Sequence, residues 1–317
     1  QDRQVDRGVA RFENPDLAFK RLFQARGEIV HRRAAAGKHD LDRGRVDEFE
    51  QVADLVPNHV VSTDVPDAVR GRAVICDKLD HVSIIDGCRL SGARFVRYRH
   101  NEPAHLEAYL RDHDNRGKRL VIVDAVFSMD GDTAPLQELC EIAENCGAEL
   151  IVDEAHGTGV LGENGRGACE ALGVEHRVAV RIGTLSKAVG AQGGFVSGNR
   201  DLVEYLWNRA RSQIYSTGLS PAICAAATAA IEIIAAEPWR RTRLAAASKY
   251  FREQLRTVGV ETISAATGPI VPVILRDPNA AVDVATRLEQ RGFLVGSIRP
   301  PTVPRDTSRL RIVMTTA

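Results

Sequence analysis

Short apolar runs set in near residue 73 and then alternate with longer stretches of helical periodicity. The runs predict strands over Arg72–Cys76, Arg94–Tyr98, Arg119–Val123, Glu149–Val152, Val178–Gly183 and Gly194–Gly198. The intervening patterns predict helices such as Leu136–Asn145 and Asp201–Ser212. Strand–helix alternation of this kind predicts a mainly parallel sheet with helices on both faces, whose ligand sites lie at the carboxyl ends of the strands. Beyond Ser220-Pro221 the pattern changes. Helices over Ala222–Ala236 and Arg243–Val258, strands at Pro269–Leu275 and Arg309–Met314, and a helix at Ala280–Arg291 predict a smaller α+β unit. Residues 1–72 differ again: they carry 13 Lys/Arg against 13 Asp/Glu, no Tyr or Trp, and weak periodicity, so little beyond a helical stretch at Val46–Val56 is predicted there.

Composition narrows the class without defining it. The 42 basic residues balance the 42 acidic ones, which gives no pointer to nucleic acid or to a membrane surface. No apolar run approaches the roughly 20 residues that span a bilayer, and the N-terminus is too polar for a signal peptide. Cys76, Cys88, Cys140, Cys146, Cys169 and Cys224 form no C-x-x-C pair, so they read as reduced thiols, and a cytoplasmic protein is expected.

The candidate chemistry gathers behind the apolar strands. Asp153-Glu154-Ala155-His156-Gly157-Thr158-Gly159 follows Glu149–Val152, which puts Asp153 and His156 where a strand opens into a loop. A buried carboxylate there can pair with a protonated ring nitrogen, as a pyridoxal cofactor requires, and the imidazole can bond a phenolate-type oxygen. Taken alone, the segment fits a solvated turn capped by Asp153 equally well. Gly157 to Gly162 also satisfies G-x-G-x-x-G, but Glu163-Asn164-Gly165-Arg166-Gly167 follows where a dinucleotide fold needs a helix, which argues against a nucleotide-binding oxidoreductase. Lys187 sits in Gly183-Thr184-Leu185-Ser186-Lys187, ahead of Ala188-Val189-Gly190-Ala191-Gln192-Gly193-Gly194. Small neighbours let a backbone approach a cofactor, and the hydroxyls of Thr184 and Ser186 can donate to a phosphate. A desolvated pocket lowers the pKa of a lysine that must attack as the free amine. Asp153 and His156 upstream lift Lys187 above an ordinary surface lysine. Ser128, in Val126-Phe127-Ser128-Met129-Asp130-Gly131-Asp132, could touch such a cofactor, or its segment could be no more than a turn. His81, in Asp77-Lys78-Leu79-Asp80-His81-Val82-Ser83, could lie over a pyridine ring. Arg309 and Arg311 suit carboxylate binding, although arginines on an edge strand are commonly just solvated.

Together DKLDHVS, VFSMDGD, VDEAHGTGVLGENGRG, GTLSKAVGAQGG, YSTGLSP and IRPPTVP resemble the α-oxoamine synthases, members of the class-II pyridoxal-phosphate-dependent aminotransferase superfamily that condense an amino acid with an acyl thioester. The resemblance runs from about Val74 to the C-terminus. It implies an α/β fold of the fold-type I transferase kind: a large domain over 73–220 with a mainly parallel sheet, and a smaller α+β domain over 221–317 that stops short of its usual final helix. Residues 1–72 lack the family's Asn-Tyr-Leu-Gly-Leu stretch and phosphate loop, an atypical segment. The implied roles are Lys187 as Schiff-base lysine, Asp153 on the ring nitrogen of pyridoxal 5'-phosphate, and His156 and Ser128 on the ring and its oxygen. His81 would stack on the ring and meet the substrate, and Thr184 would bind phosphate. Thr217 would reach the phosphate of the partner subunit's cofactor, Thr302 would line the substrate site, and Arg311 would take the amino-acid carboxylate. Lys187, His81 and Asp153 would be catalytic, and no metal is implied. Segment Ile298–Pro304 is most similar to the branch of biotin biosynthesis that joins L-alanine to pimeloyl-CoA or a pimeloyl carrier protein, which implies a homodimer with neither nucleic acid nor membrane as partner. Another family member acting on glycine, or a catalytically inert relative lacking the N-terminal motifs, stay open as alternatives.

Overall fold

The computed structural model describes residues 73–112, 118–263 and 265–316; the segment 1–72, with the Val46–Val56 expectation, lies outside them. Six strands form the main sheet: β1 (Ala73–Asp77), β2 (Arg94–Tyr98), β3 (Arg119–Asp124), β4 (Ala148–Asp153), β5 (Val180–Thr184) and β6 (Gly194–Gly198), in the order β2-β1-β3-β4-β5-β6. β2 through β5 run parallel and β6 pairs antiparallel with β5. The central strands read AVICD, RLVIVD and AELIVD, apolar at nearly every position, because helices cover both faces.

Successive residues divide between the two faces, the period-two geometry of a strand. Ile75, Val121, Val123, Leu150 and Val152 pack with Leu106 and Leu110 of α2 (Pro103–Asp112) and with Leu136, Leu139 and Cys140 of α3 (Leu136–Cys146). Val74, Cys76, Leu120, Ile122, Ile151 and Val180 pack with Ile84 and Cys88 of α1 (Val82–Leu90). Leu202, Tyr205 and Leu206 of α5 (Arg200–Arg209) cover the same face. Each fully buried Leu or Ile contributes about 1.5–3 kcal/mol relative to exposure. α4 (Ala168–Ala171) is a single turn. α3 ends at Gly147, whose left-handed conformation (φ 62°) lets its N–H reach the carbonyls of Ala143 and Glu144.

The predicted helix Asp201–Ser212 is broken. Ala210 adopts an extended conformation (ψ 98°), separating α5 from α6 (Arg211–Ile214). α7 (Pro221–Ala236) and α8 (Trp239–Thr257) follow, α7 opening on a proline whose missing N–H costs nothing at the first helical position. A second sheet, β7 (Ile270–Arg276), β8 (Gly296–Ile298) and β9 (Ser308–Val313), is antiparallel in the order β7-β9-β8. α9 (Pro278–Glu289) precedes β8, capped by the Asp277 carboxylate on the Ala280 N–H at 2.7 Å. β8 is an element that the sequence reading did not single out. Among the described residues no single helix is long and apolar enough to cross a membrane.

Candidate active site

The parallel strands deliver a row of side chains at their carboxyl ends: Asp77 from β1, Asp124 from β3, Asp153 from β4 and Thr184 from β5. Asp124 and Asp153 are direct register partners, and both are buried. Asp80 joins them from the loop after β1, its two oxygens accepting from the backbone N–H groups of Asp77 and Asp124, each at 2.7 Å. Burial and the neighbouring Asp153 push the Asp124 carboxyl up to about 8. Asp153 is also raised, chiefly by burial; the Ala155 N–H, at 2.8 Å from its Oδ1, and the charges of Lys187 and His81 oppose that rise.

Lys187 lies on the turn beyond β5, and its Nζ is 2.9 Å from Nε2 of His156. Packing of that amine lowers its pKa, while the carboxylates of Asp153 and Asp124 restrain the fall. Half-buried His156 is held neutral, its pKa depressed to about 3 by burial and then by the neighbouring Lys187 and Arg311 charges. His81 caps α1, with its Nδ1 2.8 Å from the Ser83 hydroxyl, and its backbone N–H donates to Asp124 at 2.7 Å. On the facing side, Arg311 of β9 donates from Nε to the Ser128 carbonyl at 2.5 Å. Burial lowers the Arg311 pKa, the cost of placing its charge in this cleft.

Six of the predicted residues therefore converge: Lys187, His156, Asp153, His81, Ser128 and Arg311. Thr184 stands at the β5 end of the same row, its hydroxyl 2.7 Å from that of Ser186 and 3.3 Å from the Gly193 carbonyl. Thr217 is exposed between α6 and α7, and Thr302 is exposed in the turn where its N–H meets the Arg299 carbonyl at 3.0 Å. Among the described residues neither hydroxyl bonds to the convergent group. The G-x-G-x-x-G stretch forms successive turns, with left-handed backbone at Gly159 and Gly162, and no helix starts inside it. Buried Glu154 holds the far end of that loop by accepting the Ala168 and Cys169 N–H groups at 2.8 and 2.7 Å.

Sequence reasoning missed Asp124 and Asp80. The signal for Asp124 was present, since β3 ends in the same apolar-run-then-Asp pattern as β4. It also missed His100, whose ring lies between Asp77 (3.0 Å) and Asp132 (2.9 Å). Arg309, which the sequence offered for carboxylate binding, is buried and ion-paired with the chain's own Asp130.

A row of buried carboxylates behind a lysine–histidine pair, at the mouth of a mainly parallel sheet, defines a class of enzyme, and the comparisons agree. The profile of aminotransferase class I and II matches residues 65–317, and the chain belongs to that family. It is 51% identical over 255 residues to the 8-amino-7-oxononanoate synthase of Anaeromyxobacter dehalogenans (strain 2CP-C), covering 80% of this chain and 64% of the relative. It is 47% identical over 248 residues to that of Symbiobacterium thermophilum, covering 78% and 63%. The chain thus spans just under two thirds of the length of these curated relatives. Among solved structures it resembles serine palmitoyltransferase of Sphingomonas wittichii, with a TM-score of 0.76 and 31% identity over 96% of this chain and 79% of that one. It also resembles 8-amino-7-oxononanoate synthase from Francisella tularensis, with a TM-score of 0.69 and 27% identity over 96% and 82%.

Proposed function

We propose that this chain carries the acyltransferase chemistry of 8-amino-7-oxononanoate synthase, joining L-alanine to a pimeloyl thioester with loss of carbon dioxide, and that pyridoxal 5'-phosphate is its cofactor. The observation that carries the proposal is the Lys187 amine, 2.9 Å from a neutral His156 and beside the buried Asp153. The donor set fits the cofactor: an amine for its aldehyde carbon, a carboxylate for its ring nitrogen, and hydroxyls of Thr184 and Ser186 for its phosphate. A structural neighbour of 31% identity, SPT, is known with PLP.

When bound, pyridoxal phosphate supplies an electron-withdrawing ring that stabilises negative charge at an amino-acid Cα. The residues of this chain supply the rest. Lys187, its pKa lowered, is the amine that would hold the cofactor and would take the amino-acid Cα proton. Asp153 holds a proton at the ring nitrogen. His156 and Ser128 would orient the ring and its oxygen, and His81 would lie over the ring and meet the substrate. Arg311 takes the alanine carboxylate, with Thr302 lining the substrate site. Thr217 reaches the phosphate of a partner subunit's cofactor in a homodimer. The acyl donor is pimeloyl-CoA or a pimeloyl carrier protein, the setting is the cytoplasm, and the chain divides at about residue 220 into a cofactor domain and a smaller one.

The test incubates the chain, reconstituted with pyridoxal phosphate, with pimeloyl-CoA and either L-alanine, glycine or L-serine, and follows the free thiol. Thiol release with L-alanine well above the other two is expected. Release with glycine or serine instead assigns another reaction of the family, and release with none of them, from pimeloyl-CoA or from a pimeloyl carrier protein, overturns the proposal.

A further inference from the structure

Segment Val126–Thr133, which carries Ser128, is anchored on two sides. On one side Arg311 holds the Ser128 carbonyl, and Arg309 holds Asp130 and the Met129 carbonyl. On the other stands His100. Its Nδ1 is 3.0 Å from Asp77 Oδ1 and its Nε2 is 2.9 Å from Asp132 Oδ2, and the ring meets Phe127 edge to face at 4.5 Å. The next residue, Asn101, repeats the pattern. Its backbone N–H donates to Asp77 at 2.9 Å and its side-chain amide to Asp132 at 2.7 Å, from a left-handed conformation (φ 49°) that few residues other than glycine adopt. Two adjacent residues thus clamp the same two carboxylates, one at the end of β1 and one in the Ser128 segment.

Ionised carboxylates only accept hydrogen bonds, and a neutral imidazole has a single N–H. Asp77 already accepts backbone N–H groups on both oxygens, from Leu79 at 2.8 Å and from Asn101, and Asp132 Oδ2 accepts the Asn101 amide. With both carboxylates accepting, both ring nitrogens of His100 are donors. We infer that His100 is a positioning residue, an imidazolium locked between Asp77 and Asp132 that fixes the Ser128 segment and, through the Ser128 carbonyl, the Arg311 side chain that receives the substrate carboxylate. The charged groups facing it are Asp77 from β1 and Asp132 and Asp130 from the Ser128 segment, with Arg309 of β9 paired to Asp130. Burial opposes the charge, yet hydrogen bonds and charge from Asp132 and Asp77 lift the pKa to about 10. His100, Asp130 and Asp132 bring ligand atoms within 4.8 Å of one another, but the ring nitrogens and Asp130 are already committed, so the cluster is balanced by its own cations.

The role assigned to Arg311 rests on the function proposed above; the protonation state of His100 does not. The test records ring ¹⁵N resonances of the histidine-labelled full chain at pH 8, assigned through His100→Gln, together with the Arg311 Nε resonance, assigned through Arg311→Lys. One imidazole carrying two ring protons at pH 8, lost in His100→Gln along with a shift of the Arg311 Nε signal, is expected. In isosteric Asp132→Asn, which covers a failure of His100→Gln to fold, the same ring should lose its second proton at a lower pH. In turnover, His100→Gln should raise KM for L-alanine on the order of tenfold while kcat falls less, as a displaced carboxylate clamp requires. A neutral His100 at pH 8, or an imidazolium whose loss leaves the Arg311 signal unmoved, overturns the inference. An imidazolium coupled to Arg311 in a chain without turnover leaves the inference standing and sinks the proposed function.

Discussion

Lys187 and His156 share an environment that decides their protonation. The lysine amine is partly desolvated and faces an imidazole that stays neutral, so its proton is held less firmly than on a solvated lysine. Reductive labelling of Lys187 by pyridoxal phosphate should therefore speed up as pH rises, with a midpoint below the ordinary lysine value of 10.5. A midpoint at or above that value contradicts the desolvated pocket. His156 bears on stability in the same sense. It stays neutral in the fold down to about pH 3, whereas an unfolded imidazole protonates near 6.5. The unfolded chain therefore binds the extra proton, and the fold loses stability as pH falls from 6.5 to about 3. Asp153→Asn keeps the shape of the side chain and removes its charge. Turnover should fall on the order of 10²–10⁴-fold, the range of a group that holds a proton where the reaction needs it, with the melting temperature little changed. Activity within twofold of wild type would exclude Asp153 from the chemistry.

The turns beyond the strands do as much as the strands. Gly131 has φ +70° in the Ser128 segment, and a Cβ there would lie 2.6 Å from the Ile270 carbonyl oxygen. Gly131→Ala should destabilise the fold by roughly 1–3 kcal/mol through left-handed strain and contact with backbone, read as a lower melting temperature. An unchanged melting temperature would mean that this segment is not seated against β7. The apolar runs of β1, β3 and β4 were plain in the sequence because central parallel strands are buried on both faces. Their ends were placed one residue early, since a hydrophobic pattern stops at Asp77, Asp124 and Asp153 while the backbone ladder includes them. The break at Ala210 had no Gly or Pro to announce it, and β8 is three residues long and exists by pairing with β9. Lys187, Asp153 and His156 were readable because each follows an apolar strand in a turn of small residues. The contact of His100 with Asp132 joins two loops 32 positions apart, and no local pattern encodes it.

Across the molecule, the main sheet and the β7-β9-β8 sheet meet at the Ser128 segment. Arg309 and Arg311, two residues apart on β9, both reach it, and Asp132 forms an isolated bridge with Ala266. The Arg309–Asp130 pair is buried, with side chains 6% and 17% exposed, so removing one partner strands the other away from water. Arg309→Ala should cost about 3–5 kcal/mol in urea unfolding, whereas an exposed ion pair would cost under about 1 kcal/mol. A loss within the smaller range would show that the two sheets are joined elsewhere. The placement of Lys187 as the residue that holds the cofactor is tested most directly by chemistry. The full chain is saturated with pyridoxal phosphate, scanned for a Schiff-base absorption band, reduced with borohydride, digested and mapped. The band should vanish on reduction with the label confined to the peptide containing Lys187, and both should be absent in Lys187→Ala. Label scattered over other lysines, or no band at saturating cofactor, would contradict the site.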